Sequence, residues 1–109
     1  MTTQTLQDSA LFQTGYLVDG VWKTLDTTFD VLNPATGEVI AKVAKAGTKE
    51  TEEAIAAASK AFPAWRAKTA KERSTILYRW YELIIENKSW LGQLMTTEQG
   101  KPLKEAEGE

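Results

Sequence analysis

The sequence has 109 residues, of which 42% are hydrophobic and 26% are charged, a length and composition typical of one small globular domain. Its net charge of −2 provides no electrostatic attraction to nucleic acid or to an anionic membrane surface. Without cysteine or histidine, these residues exclude disulfides, a cysteine nucleophile and a zinc site of the usual kind. Neither a secretory signal nor an apolar run of membrane-spanning length is recognisable, so we expect a cytoplasmic protein with no membrane or nucleic-acid partner.

The first part of the sequence predicts a tail followed by a hairpin. Residues 1–15 are mostly polar, and we expect a loose tail with a short helical turn near Leu11. Residues 16–23 predict a tight β-hairpin, because the Asp-Gly pair at their centre suits a type I′ turn, in which both central residues have positive φ. This register places Val18 opposite Val21.

A second pair of strands is predicted around a turn that contains proline. Phe29–Leu32 and Glu38–Val43 flank residues 33–37, where the proline presets φ and the glycine can adopt the left-handed conformation. Alternation gives the return strand two faces, of which we expect one to be buried and the other partly covered. One face carries Val39, Ala41 and Val43, and the other carries Glu38, Ile40 and Lys42.

Helical periodicity follows from residue 48 onward. Thr48 is the predicted N-cap of a first helix, which Pro63 is expected to end or sharply interrupt. Thr69 and Glu72 form a predicted capping box at the start of a second helix. The apolar face of that helix is formed by Leu77, Trp80, Tyr81, Ile84 and Ile85.

Two further helices are predicted near the end of the sequence. Residues 87–89 predict a break, with Ser89 capping a third helix that ends at Gly100. Pro102 suits the first position of another helix, which shows no stop signal beyond Gly108. We therefore expect this chain to be the front portion of a longer protein.

Few residues here are suited to catalysis or binding. Glu98 and Lys101 flank a glycine at a helix joint and could form a site, but a helix stop with both charges facing water is the simpler interpretation. Residues 65–73 place basic side chains beside a tryptophan, as in single-stranded nucleic-acid binding, yet nearby glutamates and the net charge favour a solvated loop. Glu52 and Glu53 are neighbours on a helix and do not provide the facing acids of a glycosidase.

Three segments together indicate a family. They are FDVLNPATGEVI at Phe29–Ile40, FPAWR at Phe62–Arg66 and MTTEQGKPL at Met95–Leu103. In this order they resemble the N-terminal region of the aldehyde dehydrogenase family, over residues 16–109. With the KER triplet at residues 71–73 and the EAEGE ending at residues 105–109, the combination is similar to the bacterial NAD(P)-dependent succinate-semialdehyde dehydrogenases.

The resemblance implies an α/β fold of the aldehyde dehydrogenase type. Residues 1–15 would be a polar tail, and residues 16–109 the N-terminal part of a cofactor-binding domain that is incomplete at its C-terminus. This part would consist of β-hairpins followed by amphipathic helices, without the doubly wound parallel sheet. We expect such a chain to expose apolar surface, to bind a hydrophobic dye and to unfold with weak cooperativity.

The resemblance also implies an activity for the full-length enzyme. It would oxidise a small-molecule aldehyde, succinate semialdehyde, to the acid with NAD or NADP, as a homo-oligomeric dimer or tetramer. A cysteine thiolate would attack the carbonyl, hydride would pass to NAD(P)+, and water activated by a glutamate would hydrolyse the thioester. These residues would lie beyond Glu109, so this chain is assigned no catalytic or cofactor-binding residue and is expected to be inactive and to bind no cofactor.

One site within the chain follows from the same resemblance. Glu98, with main-chain carbonyls near Val31 and Leu32, would hold a structural monovalent cation, since all-oxygen ligation suits a hard ion. Two alternatives stay open for the chain as a whole. It could be a stand-alone noncatalytic α+β binding or assembly module, or a noncatalytic remnant that associates with the intact enzyme.

Overall fold

The structure is a computed structural model that describes residues 2–109. A short helix precedes two β-hairpins, and helices form the rest of the chain. The elements are α1 Thr3–Gln7, β1 Tyr16–Val18, β2 Val21–Lys23, β3 Thr28–Leu32, β4 Val39–Ala44, α2 Thr48–Ala67, α3 Ala70–Glu86, α4 Lys88–Gln99 and α5 Leu103–Ala106. No helix within residues 2–109 combines the length and the apolar character needed to cross a lipid bilayer.

Both predicted hairpins are present. β1 and β2 pair antiparallel with Val18 opposite Val21, and Asp19 and Gly20 have φ of 53° and 73°, as the type I′ turn requires. β3 and β4 also pair antiparallel, with an irregularity in the register at the turn end. The sheets in the described part of the chain are these two separate pairs, which agrees with the expected absence of the parallel sheet from this segment.

The irregularity decides which side of β4 is buried. Val31 lies opposite Ala41, but the next residue of β3 lies opposite Val39, so Ile40 is left over as a bulge. Ile40 is only 3% exposed, whereas Val39 is 49% exposed. The alternation of β4 alone does not predict this burial, because the bulge locally redirects the side chains.

The predicted loose tail is wrong. A helix lies at Thr3–Gln7, and Thr2 caps it by accepting a hydrogen bond from the Thr5 N–H. The predicted turn near Leu11 is also present, with the Phe12 N–H donating to the Ser9 carbonyl. Leu6 is the most deeply buried large side chain in the described residues, and α1 packs on α4. The Gln7 side-chain amide donates to the Ile40 carbonyl, so α1 is held to β4 as well.

α2 begins one residue earlier and ends later than predicted. Its N-cap is Gly47 rather than Thr48, because the Glu50 carboxylate accepts the Gly47 N–H at 2.8 Å. Pro63 does not end the helix, which continues to Ala67. Proline leaves the carbonyl of Ser59 without its helical donor, but both residues are exposed and water can bond to that carbonyl instead.

The later helices start within two residues of their predicted positions, but the last helix, α5, ends at Ala106 instead of continuing to the end of the chain. Thr69 caps α3 in the predicted capping box, with bonds of 3.2 Å from the Glu72 N–H and 2.7 Å to the Glu72 carboxylate. The break between α3 and α4 falls at Asn87, which replaces the predicted cap Ser89. Gly100 ends α4 as predicted, while Pro102 lies just before α5 rather than at its first position.

The apolar face of α3 is not covered. Neither α2 nor α3 contains a buried residue. Hydrophobic side chains that are buried within residues 2–109 are Leu6, Val18, Ile40 and Ala106, and the predicted face of α3 is 43–62% exposed. This confirms the expected apolar surface, while dye binding and weak cooperativity stay predictions.

Candidate functional site

The joint between α4 and α5 lies against the turn that connects β3 and β4. Gly100 ends α4 with φ of 81°, and its N–H donates to the Thr96 carbonyl at 2.9 Å. A Cβ atom on Gly100 would lie 3.1 Å from Cγ of Pro34, so the joint and the turn are in van der Waals contact. The structure therefore brings together the two segments that carry the predicted cation site.

The turn that receives this contact is tied by its own hydrogen bonds. The Asn33 side-chain oxygen accepts the Ala35 N–H at 2.9 Å, and the Asn33 N–H donates to the Glu38 carbonyl at 2.9 Å. The Asn33 carbonyl accepts the Gly37 N–H at 2.7 Å. Asn33 thus fixes the turn through both its side chain and its backbone, which gives Pro34 a defined position.

The residues of the predicted cation site occupy the two sides of this contact. Glu98 is exposed in the last turn of α4, while Val31 is half-buried and Leu32 exposed at the end of β3. A carboxylate with main-chain carbonyls is a suitable donor set for a hard cation. Within residues 2–109 no group of three or more Asp, Glu, His or Cys side chains is placed to hold a metal ion together, so an ion here would depend on those carbonyls. Cation binding at Glu98 stays a prediction.

Lys101, the other charged residue of the joint, does not simply face water. It is partly buried and forms an ion pair with the Glu109 carboxylate. The prediction of two solvated charges therefore holds for Glu98 only. Lys101 helps to hold the last residues of the chain beside α4 and α5.

A second feature is an open groove of 490 Å³ at the N-terminus of α2. Its walls include Asp26, Lys45 and Glu50. A ligand anion would bind to the Gly47 N–H, but this donor is already bonded to the Glu50 carboxylate. The same bond holds the pKa of Glu50 below its ordinary value of 4.5. The Gly47 N–H is therefore occupied within the chain, and the Glu50 carboxylate beside it would repel a phosphate.

The basic segment at residues 65–73 is a helix joint, so the predicted loop is wrong. Trp65 is half-buried within α2, and only Lys68 and Thr69 separate α2 from α3. The Arg73 guanidinium donates to the Lys68 carbonyl at 2.7 Å and to the Arg66 carbonyl at 3.3 Å. Arg73 caps the end of α2 and is not directed toward a nucleic-acid ligand. The only sequence signal for this capping role is the position of Arg73, four residues after the Thr69 N-cap.

Gly92 is a buried residue of α4 that the sequence does not single out. A Cβ atom there would lie 2.7 Å from Cγ of Glu107 and 3.3 Å from its backbone nitrogen. The glycine therefore allows the residue that follows α5 to approach α4 closely. A glycine inside a helical pattern is the one signal in the sequence for such a contact.

Comparison with known proteins identifies the family. Residues 22–109 match the sequence profile of the aldehyde dehydrogenase family. The chain is 59% identical over 106 residues to a glutarate-semialdehyde dehydrogenase of Pseudomonas putida and 51% identical over 106 residues to an NADP(+) succinate-semialdehyde dehydrogenase of Escherichia coli. Each alignment covers 95% of this chain and 22% of the relative.

The fold agrees with these relatives. The structure superimposes with a TM-score of 0.89 on the crystal structure of an NADP-dependent enzyme of E. coli, which is 50% identical. That match covers 93% of this chain and 21% of the other, so the chain spans about a fifth of the length of the proteins it matches. Its hairpins and helices are a segment of the α/β aldehyde dehydrogenase fold, and the chain belongs to the aldehyde dehydrogenase family.

Proposed function

We propose that this chain is the N-terminal part of a longer NAD(P)+-dependent dehydrogenase that oxidises the semialdehyde of a short dicarboxylic acid to the diacid. The observation that carries the proposal is the identity of 59% and 51% to relatives named for glutarate and succinate semialdehyde. Residues 16–109 would begin the cofactor-binding domain. Residues 1–15 precede it, and α1 lies within them, packed on α4.

The proposed reaction uses groups that this chain does not contain. A cysteine thiolate adds to the aldehyde carbon, hydride leaves that carbon, and a water activated by a glutamate hydrolyses the thioester to the acid and restores the thiolate. NAD(P)+ would supply the hydride acceptor. Because residues 1–109 include no cysteine, the nucleophile must come from the remaining polypeptide, and the 109-residue chain alone would be inactive.

The contribution of this segment would be structural. The contact of Gly100 with Pro34 fixes the α4–α5 joint on the turn between β3 and β4. Glu98 precedes Gly100 by two residues and Leu32 precedes Pro34 by two residues, and we propose that Glu98 and the main-chain carbonyls near Val31 and Leu32 hold a structural monovalent cation. The assembled enzyme is proposed to be a homo-oligomer, a dimer or a tetramer, whose mass light scattering would measure.

Two substrates follow from the relatives, and they differ by one methylene. A pocket that discriminates one methylene changes kcat/KM by roughly 10- to 200-fold. We expect the longer polypeptide that carries this chain to oxidise succinate semialdehyde or glutarate semialdehyde with a preference in that range. The assay follows NAD(P)H absorbance with both aldehydes, each with NAD+ and with NADP+.

Matched aldehydes test whether the carboxylate is recognised. Butanal and pentanal have the chain lengths of the two semialdehydes but lack the carboxylate. Their kcat/KM should be at least about tenfold lower, because a site built to bind a charged group rejects an analogue without it. Equal rates with pentanal and glutarate semialdehyde, or no NAD(P)H formation at all, would overturn the proposal.

A further inference from the structure

The tip of the β1–β2 hairpin places an exposed aspartate directly before an exposed glycine. Within residues 2–109, neither the Asp19 carboxylate nor the Gly20 N–H forms a hydrogen bond. A Cβ atom on Gly20 would have nothing within 4 Å, so no neighbouring group shields the backbone there. The side chain of the first residue and the backbone nitrogen of the second are therefore accessible to each other and to water.

The reaction that this pair allows is closure of a five-membered ring. The Gly20 nitrogen attacks Cγ of Asp19, a C–N bond forms, and the carboxyl hydroxyl leaves with the N–H proton as water. A glycine favours this step, because it has no side chain beside the attacking nitrogen and permits the backbone rotation that the ring needs.

Water then opens this succinimide ring at one of its two carbonyls. Opening at Cγ breaks the new bond and restores aspartate. Opening at the backbone carbonyl breaks the original peptide bond and leaves an isoaspartate, in which the chain continues through Cγ and the α-carboxylate is free. The sequence of steps consumes one water for each water released, so it needs no other reactant.

The conformation of the turn restrains ring closure. Asp19 has φ of 53° and Gly20 has φ of 73°, as in a type I′ turn. In that turn the ψ of the first central residue is about 30°, which directs the Gly20 nitrogen away from the Asp19 side chain. The ring needs this nitrogen on the same side as Cβ, so it closes only when the turn opens.

Few interactions hold the turn closed. β1 and β2 pair at three positions and form a sheet of their own, and an isolated two-stranded hairpin is only marginally stable in water. A partly exposed ion pair of 3.4 Å between Lys23 and Glu53 ties β2 to α2, and such pairs contribute little. Val18 is 7% exposed, whereas Val21 opposite it is 57% exposed. Burial of Val18 therefore opposes opening more than the other contacts do.

We propose that Asp19 is a site of spontaneous isoaspartate formation, at a rate set by opening of the β1–β2 hairpin. The isoaspartyl linkage adds a methylene group to the backbone between Val18 and Val21, so the two-residue turn cannot form again in the same register. The modified residue accumulates with the age of the polypeptide, and Val18 loses its buried position. The new α-carboxylate is the group that an isoaspartyl methyltransferase would recognise. This proposal does not depend on the oxidation of an aldehyde.

Ageing of the native protein tests the site. The polypeptide that carries this segment is purified, incubated in neutral buffer and digested with trypsin. Electron-transfer fragmentation of the peptide that ends at Lys23 distinguishes isoaspartate from aspartate at position 19, and the succinimide is lighter by one water. Asp26 is the matched control, because it is also exposed and has no hydrogen-bond partner within residues 2–109, but it precedes the β-branched Thr27, which shields its own nitrogen.

The expected difference between the two aspartates is large. Isoaspartate should form at Asp19 at least about tenfold faster than at Asp26, because only the first precedes a glycine. Equal rates at the two positions, or no isoaspartate at Asp19 even in the unfolded polypeptide, would overturn the proposal.

Unfolding and substitution test whether the hairpin controls the rate. In guanidinium chloride at a concentration that unfolds the polypeptide, isoaspartate should form at Asp19 about tenfold faster or more, because the restraint of the turn is lost. Val18→Ala in the native protein should accelerate it by about tenfold, since losing buried side-chain atoms favours opening. Val21→Ala, the exposed partner in the same pair, should change the rate by less than about threefold. Equal rates in the native and unfolded protein, or equal acceleration by both substitutions, would contradict control by the hairpin.

Asp19→Asn keeps the test decisive if Val18→Ala does not fold. Asn-Gly is also a preferred type I′ pair, so the hairpin is retained. Ring closure then releases ammonia instead of water, and opening of the ring gives aspartate and isoaspartate, which differ from asparagine in mass. We expect asparagine to be lost at this position, and faster in the unfolded than in the native protein. Retention of asparagine in both would overturn the proposal.

Discussion

A Cβ atom built on Gly100 would lie 3.1 Å from Cγ of Pro34. This close approach joins the end of α4 to the turn between β3 and β4, two segments that are about 65 residues apart in the sequence. Gly100 also has φ of 81°, a conformation that residues with a Cβ rarely adopt. Two independent physical reasons thus require glycine at this position.

Replacing Gly100 with alanine should be more destabilising than the same change in another turn. Gly37→Ala is the matched control, because Gly37 has φ of 76° but nothing within 4 Å of its Cβ position. Both variants lose about 1 kcal/mol or more from the strained φ, and only Gly100→Ala must also displace Pro34. Urea denaturation followed by far-UV circular dichroism should give Gly100→Ala the lower midpoint. Equal midpoints would show that the contact with Pro34 does not contribute to the stability of the fold.

Gly92→Ala should detach α5 from α4. The added methyl group would lie 2.7 Å from Cγ of Glu107 and 3.3 Å from its backbone nitrogen, and overpacking of this kind costs about 1–3 kcal/mol. Hydrogen exchange of the Ala106 and Glu107 amides, which donate to the Pro102 and Leu103 carbonyls, should become faster. The second change Glu107→Gly removes one of the two obstacles and should restore part of the protection. Unchanged exchange in Gly92→Ala would contradict the packing described.

Acid should weaken the starts of α2 and α3. Hydrogen bonds from the backbone N–H groups of Gly47 and Thr69 hold the pKa values of Glu50 and Glu72 below the ordinary 4.5. A carboxylate with a depressed pKa in the folded state stabilises the fold fully above pH 4.5, and this contribution disappears as the pH falls through the lower folded value. Helicity should therefore decrease below pH 4.5.

Substitution distinguishes the contribution of Glu50 and Glu72 to the acid transition from that of the other acidic residues. Glu50→Gln and Glu72→Gln should each reduce helicity at pH 7 and flatten the acid transition seen by circular dichroism. Glu52→Gln lies in the same helix as Glu50 and has no capping hydrogen bond within the described residues, so it is the matched control. If Glu52→Gln flattens the transition as much as Glu50→Gln, the capping bonds are not its cause.

The open face of α3 should bind a hydrophobic dye in the 109-residue chain. Leu77→Gln with Ile84→Gln removes two of the eight exposed large apolar side chains of α3, and dye fluorescence should fall, since apolar binding scales with area. Thr75→Gln, on the polar face of α3, should leave the dye fluorescence unchanged. A sharp thermal transition with little dye binding would instead indicate a self-sufficient domain.

Local features of the fold were predictable because their causes are local. The Asp19-Gly20 hairpin, the Thr69 capping box and the Gly100 helix end each depend on a few adjacent residues, and the structure confirms all three. The burial of Leu6 and Ile40 was not predictable, since it depends on packing of α1 on α4 and on a bulge in β4.

The predicted cation site likewise has a part that the sequence predicts and a part that it does not. The segments that indicate the family are contiguous in the sequence, and the contact between Gly100 and Pro34 is consistent with a site at their junction. Whether Glu98 binds a cation depends on carbonyl positions that no residue pattern specifies. At Pro63 the local sequence predicts the wrong outcome. Proline should interrupt α2, but exposure to water allows the helix to continue through it.

The intact mass of the polypeptide that carries this segment in its source cell tests the central claim most directly. An antibody raised against residues 16–109 would capture it for mass spectrometry. The proposal predicts a mass far above 12.1 kDa, because 95% of this chain aligns with only 22% of a relative. A mass of 12.1 kDa would contradict it and would favour a stand-alone module or a noncatalytic remnant, whose partner would then be sought.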